Sequence, residues 1–435
     1  VHVTVRQALV LCSESEMVRA GIEALNVFGG TAVLDVNALA EHRRLDRTRF
    51  ANLLMKEKAV ALPYEDAISF GVNAAKPLID ALTPSEKNTI EMVIACSESG
   101  IDFGKSMSTY LHHYLGLSRN CRLFELKQAC YSGTAGLQMA VSFVLSQAAP
   151  GARVLVVATD VSRFGVAEGG SSLTSDWSFA EPSSGAGAVA LLVSENPRVM
   201  QLDVGASGYY GYEVMDTCRP YPDGDAGDAD LSLMSYLDCC KQTFAEYRKR
   251  VPDADYQTTF DYLAFHTPFG GMVKGAHRVM MRETAKAAAA AIEEDFRRRV
   301  MPGLIYCQRV GNAMGATLLM ALASTIDHAE LDVAKRIGCF SYGSGCCSEF
   351  YSGVVLPSSQ RVVRDMNIKA HLDSRYRLGM EEYEMLIRHS EAVKFGTRNV
   401  TLNHELLPKM WAGVHGTGRL YLSGIKEFHR VYEWA

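Results

Sequence analysis

Seven short runs of apolar and β-branched residues recur along the chain: GIEALNVF (21–28), NTIEMVIAC (88–96), RVLVVATD (153–160), GAVALLVSE (187–195), DYLAFHTP (261–268), RIGCFSYGSG (336–345) and GTGRLYLSGI (416–425). Each reads as a buried strand. Helical periodicity fills the intervals, with the longest stretches at 130–148, 230–249, 281–301 and 312–327. This alternation predicts an α/β architecture. No long Pro-, Ser- or Gly-rich linker divides the chain. Two Gly-rich segments beside strand-like runs, GAGAVALLVSE (185–195) and GCFSYGSGCCSEFYSGVV (338–355), rhyme across the two halves and suggest an internal duplication.

Composition narrows the class. The 435 residues are 48% hydrophobic and 21% charged, which suits a large folded core and argues against disorder. A net charge of -5 gives no electrostatic case for nucleic acid. The 11 cysteines are odd in number and form no disulfide framework, and the vicinal pairs Cys239-Cys240 and Cys346-Cys347 suit a reducing compartment. No C-x-x-C pair or His/Cys cluster reads as a metal site. The opening run VHVTVRQALVLCSESEM is too short in apolar residues to span a membrane and weak as a signal peptide. The expectation is a cytoplasmic protein with no metal and no resident cofactor. Two charged runs have local readings. DGDAGDAD (223–230) lacks a glutamate at the twelfth position of a calcium loop, where Met234 stands, and reads as a polar turn capping a helix at Asp230. Arg297-Arg298-Arg299 reads as the end of an Ala-rich helix that opens with Glu283, complementing its dipole.

Several residues are candidates for chemistry. Cys130, in ELKQACYSGTAGLQMA, stands at a helix start, where free N–H groups favour a thiolate; it reads equally as a small buried hydrophobe. Glu98, in IACSESGIDFGKS, ends an apolar strand, a place where desolvation makes a carboxyl a base near neutral pH; the alternative is a solvated loop glutamate. His266 ends DYLAFHTPFGG, a strand end followed by Pro and two glycines, and reads as a site histidine or a satisfied core histidine. Asn312, in CQRVGNAMGA, is a helix cap or a carbonyl-binding amide. The turn SYGSG (341–345) offers backbone N–H groups to an oxyanion or is simply tight.

Taken in order, these residues resemble the 3-hydroxy-3-methylglutaryl-CoA synthase family of the thiolase superfamily. ACYSGTA (129–135) is similar to the family's ACYGGTA, and CSES (96–99) to its G-T-E-S/T strand end, with Glu98 32 residues before Cys130. FHTP (265–268), RVGN (309–312) and FSYGSG (340–345) match the F-H-x-P, R-V-G-N and F-S-Y-G-S-G motifs, and DVSRFGVAEGGSS and EPSSGAGAVALL resemble the segments between. The resemblance covers roughly residues 17 to 432. It implies a thiolase-like five-layer αβαβα fold with internal duplication, a half at 17–200 carrying Glu98 and Cys130, and a half at 201–435 carrying His266 and Asn312. Residues 1–16 are an extension outside it, and Met17 reads as a possible native start. A homodimer is implied too. So are roles: Cys130 takes an acetyl group as a thioester, and Glu98 removes a methyl proton. The enolate attacks the C3 carbonyl of a β-ketoacyl thioester, His266 binds that carbonyl and helps protonate the alkoxide, and water frees Cys130. Asn312, Ser344, Tyr342, Phe164 and Lys274 are the implied substrate-binding residues.

Departures from the mevalonate-pathway pattern sharpen the expectation. Ser132 stands where that branch has glycine, and Phe164 and Met314 where it has tyrosines. KFGTRN (394–399) resembles instead the branch of modular polyketide pathways, which performs β-branching. The implied substrates ride on acyl carrier proteins: a donor acetyl-carrier and an acceptor β-ketoacyl-carrier. The alternatives are the mevalonate enzyme with free CoA thioesters and an initiating ketoacyl-carrier-protein synthase. Carrier proteins are acidic, so Arg43, Arg44, Arg47, Arg49 and Lys274 are candidate contacts; the arginine cluster reads equally as a solvated helix face.

Overall fold

The computed structural model describes residues 19–162, 180–221, 224–404 and 407–435. Phe164 and the 1–16 extension therefore lie outside the described residues.

The strands that matter here are β1 (Gly21–Phe28), β2 (Ala32–Asp35), β3 (Glu57–Val60), β4 (Ile90–Cys96), β5 (Arg122–Leu126), β6 (Arg153–Val161), β7 (Ala186–Ser194), β8 (Met200–Gly211), β9 (Thr217–Tyr221), β10 (Tyr262–Phe265), β11 (Lys335–Gly343) and β12 (Cys347–Val355). The helices are α1 (Ala67–Asp80), α2 (Ser132–Ser146), α3 (Ala229–Arg250), α4 (Gly270–Ala285), α5 (Met301–Val310) and α6 (Thr317–His328). Nine strands form one sheet in the order β10-β11-β12-β8-β1-β7-β6-β4-β5. Within the sheet the two halves join through β1 and β8, where Gly21 pairs with Gln201 and Ile22 with Met200.

The duplication is written in the strand pairing. In the first half β4 runs parallel to β6, and β6, β7 and β1 follow antiparallel. In the second half β10 runs parallel to β11, and β11, β12 and β8 follow antiparallel. The layers follow from what each helix touches. Helix α1 packs on β1, β6 and β7; α2 lies on β4 and β6 and meets α6, which lies on β10 and β11; α3 covers β8 and β12. The order helix, sheet, central helices, sheet, helix is the five-layer αβαβα arrangement expected. Strands buried on both faces read as continuous apolar runs; all nine residues of β7 are buried.

Several sequence expectations are corrected. The stretch 281–301 is not one helix. Helix α4 begins at Gly270 and ends at Ala285, with Lys286 left-handed (φ 49°) as its cap. A second helix, Ala289–Asp295, runs through a π turn at Phe296–Val300 into α5. The three arginines therefore sit inside a longer helical run, and the dipole account fails. Arg299 is buried, ion-paired with Asp295 at 2.7 Å, and donates to the carbonyls of Tyr256 and Phe260. The cap of α3 is Asp228, not Asp230: its carboxylate accepts from the N–H groups of Asp230 and Leu231. The strands β5, β8 and β12 escape a hydrophobicity reading because they are short, Gly-rich or polar. In β8, Gly208 leaves no room for a side chain, since a Cβ there would lie 2.1 Å from the Thr243 carbonyl of α3. Among the described residues, no helix is long and apolar enough to cross a membrane.

Candidate active site

Glu98 follows β4, Cys130 precedes α2, His266 follows β10, and Asn312 precedes α6. All four line one cavity of about 1090 Å³, together with Tyr342 and Ser344. Residues scattered over 247 positions of sequence thus converge on one space.

The nucleophile turn is built by backbone. Ala129 is left-handed (φ 43°), and Tyr131 N–H and Ser132 N–H donate to the carbonyls of Gln128 and Ala129. Helix α2 starts immediately after, so Cys130 sits at the positive end of its dipole. The half-buried Sγ lies 3.9 Å from Glu98 Oε2 and donates to it. Gly133 lets the helix start pack on the turn at Gly315: a Cβ there would stand 2.1 Å from the Gly315 carbonyl.

Glu98 is gripped from two sides. Arg219 Nη2 lies 3.1 Å from Oε1, and Nη1 donates to the Glu98 carbonyl at 3.2 Å. The second oxygen is the one aimed at Cys130. Behind it, the buried Asp160 accepts from the N–H groups of Glu98 and Ser99 and the hydroxyls of Ser97 and Ser99 on Oδ1, and from Gly315 N–H on Oδ2. Burial pushes the Asp160 carboxyl above its usual range, against these hydrogen bonds. One carboxylate therefore ties the base loop of the first half to the Asn312 loop of the second.

His266 is 1% exposed, its Nδ1 has no hydrogen-bond partner among the described residues, and burial pulls its pKa down to about 3. Tyr236 Oη donates to its carbonyl at 2.7 Å. The unliganded ring is therefore neutral and can act toward a carbonyl through N–H donation. The Asn312 amide oxygen accepts from Met314 N–H and Thr317 Oγ1. That fixes the amide nitrogen as the end that can donate into the cavity. Asn312 is not the helix cap the sequence offers: the N-cap of α6 is Ala316, which makes no side-chain capping bond, and Asn312 instead closes the turn ahead of it. Gly311 before it has φ 88°, and a Cβ would meet the Ser184 carbonyl at 2.6 Å. The paired backbone of Ser183 and Gly185 is held by the buried Lys58, whose Nζ donates to the Glu181 carbonyl and Ser184 Oγ.

The SYGSG turn is more committed than the sequence suggests. Gly345 N–H donates to Asp216 Oδ1, Cys346 N–H to the Tyr212 carbonyl, and Tyr342 Oη to Asp216 Oδ2 at 2.5 Å. The amides of Gly345 and Cys346 are thus occupied, and the Tyr342 hydroxyl braces the turn. Ser344 lines the cavity. Lys274 is not among the lining residues. It lies two positions past the lining Met272, about 200° around the helix axis, and its Nζ pairs with Glu293 at 3.0 Å. Of the four arginines only Arg49 lines the cavity, whereas Arg43 pairs with Glu181 and Glu384. Lys105 and Lys127 join it, and Phe103 (93% exposed) packs against Phe395 of the KFGTRN stretch, 4.9 Å between ring centres.

The sequence reading missed Arg219, Asp160 and Asp216. Asp160 carried a usable signal, a carboxylate ending an apolar strand as Glu98 nearly does. Arg219 carried none, because only the fold brings β9 to Glu98. Among the described residues, no group of three or more His, Cys, Asp or Glu side chains is arranged to hold a metal ion.

Comparison with known proteins supplies independent findings. Residues 17–198 match the family model "Hydroxymethylglutaryl-coenzyme A synthase N terminal", and residues 278–433 its C-terminal counterpart. His266 falls between the two matched segments. The chain is 68% identical over 418 residues to the polyketide biosynthesis 3-hydroxy-3-methylglutaryl-ACP synthase PksG of Bacillus subtilis (strain 168), covering 96% of this chain and 100% of that protein. It is 34% identical over 374 residues to the hydroxymethylglutaryl-CoA synthase of Enterococcus faecalis, covering 84% and 91%. The crystal structure of the curacin biosynthetic pathway HMG synthase in complex with holo donor-ACP superposes with a TM-score of 0.93 at 65% identity, covering 96% and 100%.

Proposed function

The chain belongs to the hydroxymethylglutaryl-coenzyme A synthase family, and on that premise we propose that it is the 3-hydroxy-3-methylglutaryl synthase of a polyketide β-branching pathway. The observation that carries the chemistry is the single cavity holding Cys130, Glu98, His266 and Asn312. The choice of branch rests on identity to PksG at twice the level found for the Enterococcus faecalis enzyme.

Cys130 attacks the acetyl thioester of a donor acyl carrier protein and expels the carrier's pantetheine thiol, leaving acetyl-Cys130. Glu98, held at one oxygen by Arg219, takes a proton from the acetyl methyl with the other. The enolate carbon bonds to the C3 carbonyl carbon of a β-ketoacyl carrier, and that carbonyl becomes an alkoxide. The neutral His266 N–H and the Asn312 amide stabilise oxygens that gain negative charge. The alkoxide takes up a proton, and water cleaves the Cys130 thioester, returning the thiol and leaving a carboxylate on a product still attached to the acceptor carrier. No resident cofactor enters any step.

The working assembly is a homodimer in the cytoplasm, a compartment consistent with ten free thiols among the described residues. Arg49, Lys105 and Lys127 line the cavity beside Asp102, Glu125 and Asp230, and are the cations it offers to an acidic carrier. Intact-protein mass spectrometry with acetyl-carrier protein and acetyl-CoA tests the reading. Faster acetylation of Cys130 by the carrier is expected; equal or better rates with CoA favour the mevalonate reaction, and no adduct with either removes the nucleophile assignment. Glu98→Ala is expected to acetylate and not condense, and full condensation by that variant would favour an initiating ketoacyl synthase.

A further inference from the structure

Glu349, in GCCSEFYSG on β12, is a carboxylate that the proposed chemistry leaves unused. It is 3% exposed, and burial pushes its carboxyl up to about 7. A buried carboxyl is costly unless each oxygen finds a donor. Here both donors come from the helix that presents the nucleophile. Tyr131, next to Cys130, donates its hydroxyl to Oε2 at 2.7 Å, and Gln138 Nε2 donates to Oε1 at 2.8 Å. Positions seven apart lie on the same face of a helix two turns along.

We propose that Glu349 is a positioning residue for the nucleophile, fixing the first two turns of α2 through Tyr131 and Gln138 and thereby the turn that presents Cys130 beside Glu98. The inference rests on Cys130 being the acyl-accepting residue.

Three features of the structure support a positioning role over simple packing. First, the turn needs an external hold, because Ala129 is a non-glycine residue in the left-handed region. Second, the end of β11 grips the same turn: Gly343 lies so close that a Cβ would stand 2.6 Å from Tyr131 N and from the Gln128 carbonyl. β11 and β12 thus clamp the turn together, one by backbone contact and one by the carboxylate. Third, Cys130 Sγ reaches Glu98 only at 3.9 Å, a long contact that a small shift of α2 breaks. The other groups acting on Glu349 are Arg250 at the end of α3, Ser207 on β8, and Cys347 and Tyr351 on its own strand. None of these ties it to the nucleophile helix. A glutamine at 349 keeps one acceptor for Tyr131 and, with the Gln138 amide turned over, a donor for Gln138; an alanine leaves both unpaired in a buried space.

The test is single-turnover acetylation of Cys130 by acetyl-carrier protein in the full-length enzyme, with Glu349→Ala, Glu349→Gln and Tyr131→Phe. Misplacement of a reacting group by about 1 Å costs on the order of a hundredfold. Glu349→Ala is therefore expected to slow acetylation about ten- to a hundredfold, with half-saturating donor concentration within about threefold of wild type. Glu349→Gln is expected to recover to within about threefold, and Tyr131→Phe, which removes one oxygen atom and keeps the fold if Glu349→Ala does not, to slow the step several-fold. Acetylation by Glu349→Ala within twofold of wild type, or a Glu349→Gln rate no better than Glu349→Ala, overturns the proposal. If wild type takes no acetyl group, the functional reading fails and not the brace. Alkylation of Cys130 by iodoacetamide then reads the brace alone: a rate changed several-fold in Glu349→Ala and restored in Glu349→Gln supports it, and identical rates overturn it.

Discussion

His266 is the group whose charging the fold opposes most directly. Burial alone lowers its pKa from 6.5 to about 3. At pH 6 about one molecule in a thousand would carry the imidazolium, and protonating the ring at pH 7 costs about 5 kcal/mol, against less than ~1 kcal/mol for an exposed histidine. The perturbation is acidification from pH 8 to pH 5 in the unliganded enzyme. The assay is NMR of ¹³C-labelled histidine, with the His266 resonance assigned by its loss in His266→Asn. Its ring signal is expected to stay at the neutral limit throughout, while exposed histidines titrate near 6.5. Stability follows the same linkage. Between the unfolded value of 6.5 and the folded value near 3, the native state binds fewer protons, so this contribution is lost as pH falls, by about 1.4 kcal/mol per unit, or ~2 kcal/mol at pH 5. The His266→Asn variant lacks that slope. An inflection for the wild-type ring at pH 6 or above would refute the reasoning, because burial would then not be setting the charge of the ring. For catalysis, His266→Asn is expected to lower condensation by about 10²–10³ while Cys130 still acetylates at near wild-type rates.

Other substitutions probe the supports. Arg219→Met removes the guanidinium from one oxygen of Glu98, and loss of a charge-assisted contact worth about 1.5–3 kcal/mol should slow condensation tenfold or more; unchanged turnover would remove Arg219 from the site. Gly133→Ala places a Cβ 2.1 Å from the Gly315 carbonyl and 3.2 Å from Ala158 Cβ; overpacking of about 1–3 kcal/mol should lower the melting temperature and impair acetylation, whereas normal melting would show that the helix yields. Glu349→Gln should gain stability over wild type as pH rises. The folded carboxyl titrates near 7 against an ordinary value of 4.5, so wild-type stability falls across that window by at most ~3 kcal/mol. Melting curves at pH 5 and pH 8 test it, and an equal difference at both would contradict the raised value.

The legible part of the sequence was what each half repeats. Long apolar runs gave the buried strands, because strands covered on both faces need no alternation. The ordered motifs led to four residues that the fold gathers into one cavity. What escaped was set by contacts between distant segments. α1 carries Gly71 and Pro77, two residues that argue against a helix, and turns only the narrow face of Asn73, Lys76, Pro77 and Asp80 away from the core. Arg297 to Arg299 were misread because charge was assigned to a helix end, whereas Arg299 is consumed by a buried pair with Asp295. Lys274, placed by resemblance to a family position, pairs with Glu293 and is not among the residues lining the cavity. Arg219 has meaning only once β9 folds over Glu98.

The duplication explains why the four residues meet at all. In each half a parallel strand is followed by a reactive side chain, Glu98 after β4 and His266 after β10. In each half a central helix is preceded by another, Cys130 before α2 and Asn312 before α6. The two helix starts touch where Gly133 faces the Gly315 carbonyl, a contact with no room for a side chain on either strand of the turn. Asp160, accepting from Glu98 N–H and from Gly315 N–H, then locks the two loops in one register. The equivalent positions have diverged by environment. Glu98 meets an arginine, whereas His266 is buried with nothing to offset its desolvation and stays uncharged. One half therefore supplies the nucleophile and the base, and the other supplies neutral donors for oxygens that become negative. Two copies of one topology carry the two halves of a condensation because the burial and charge around matching positions differ, while the order of strands and helices that places them is the same.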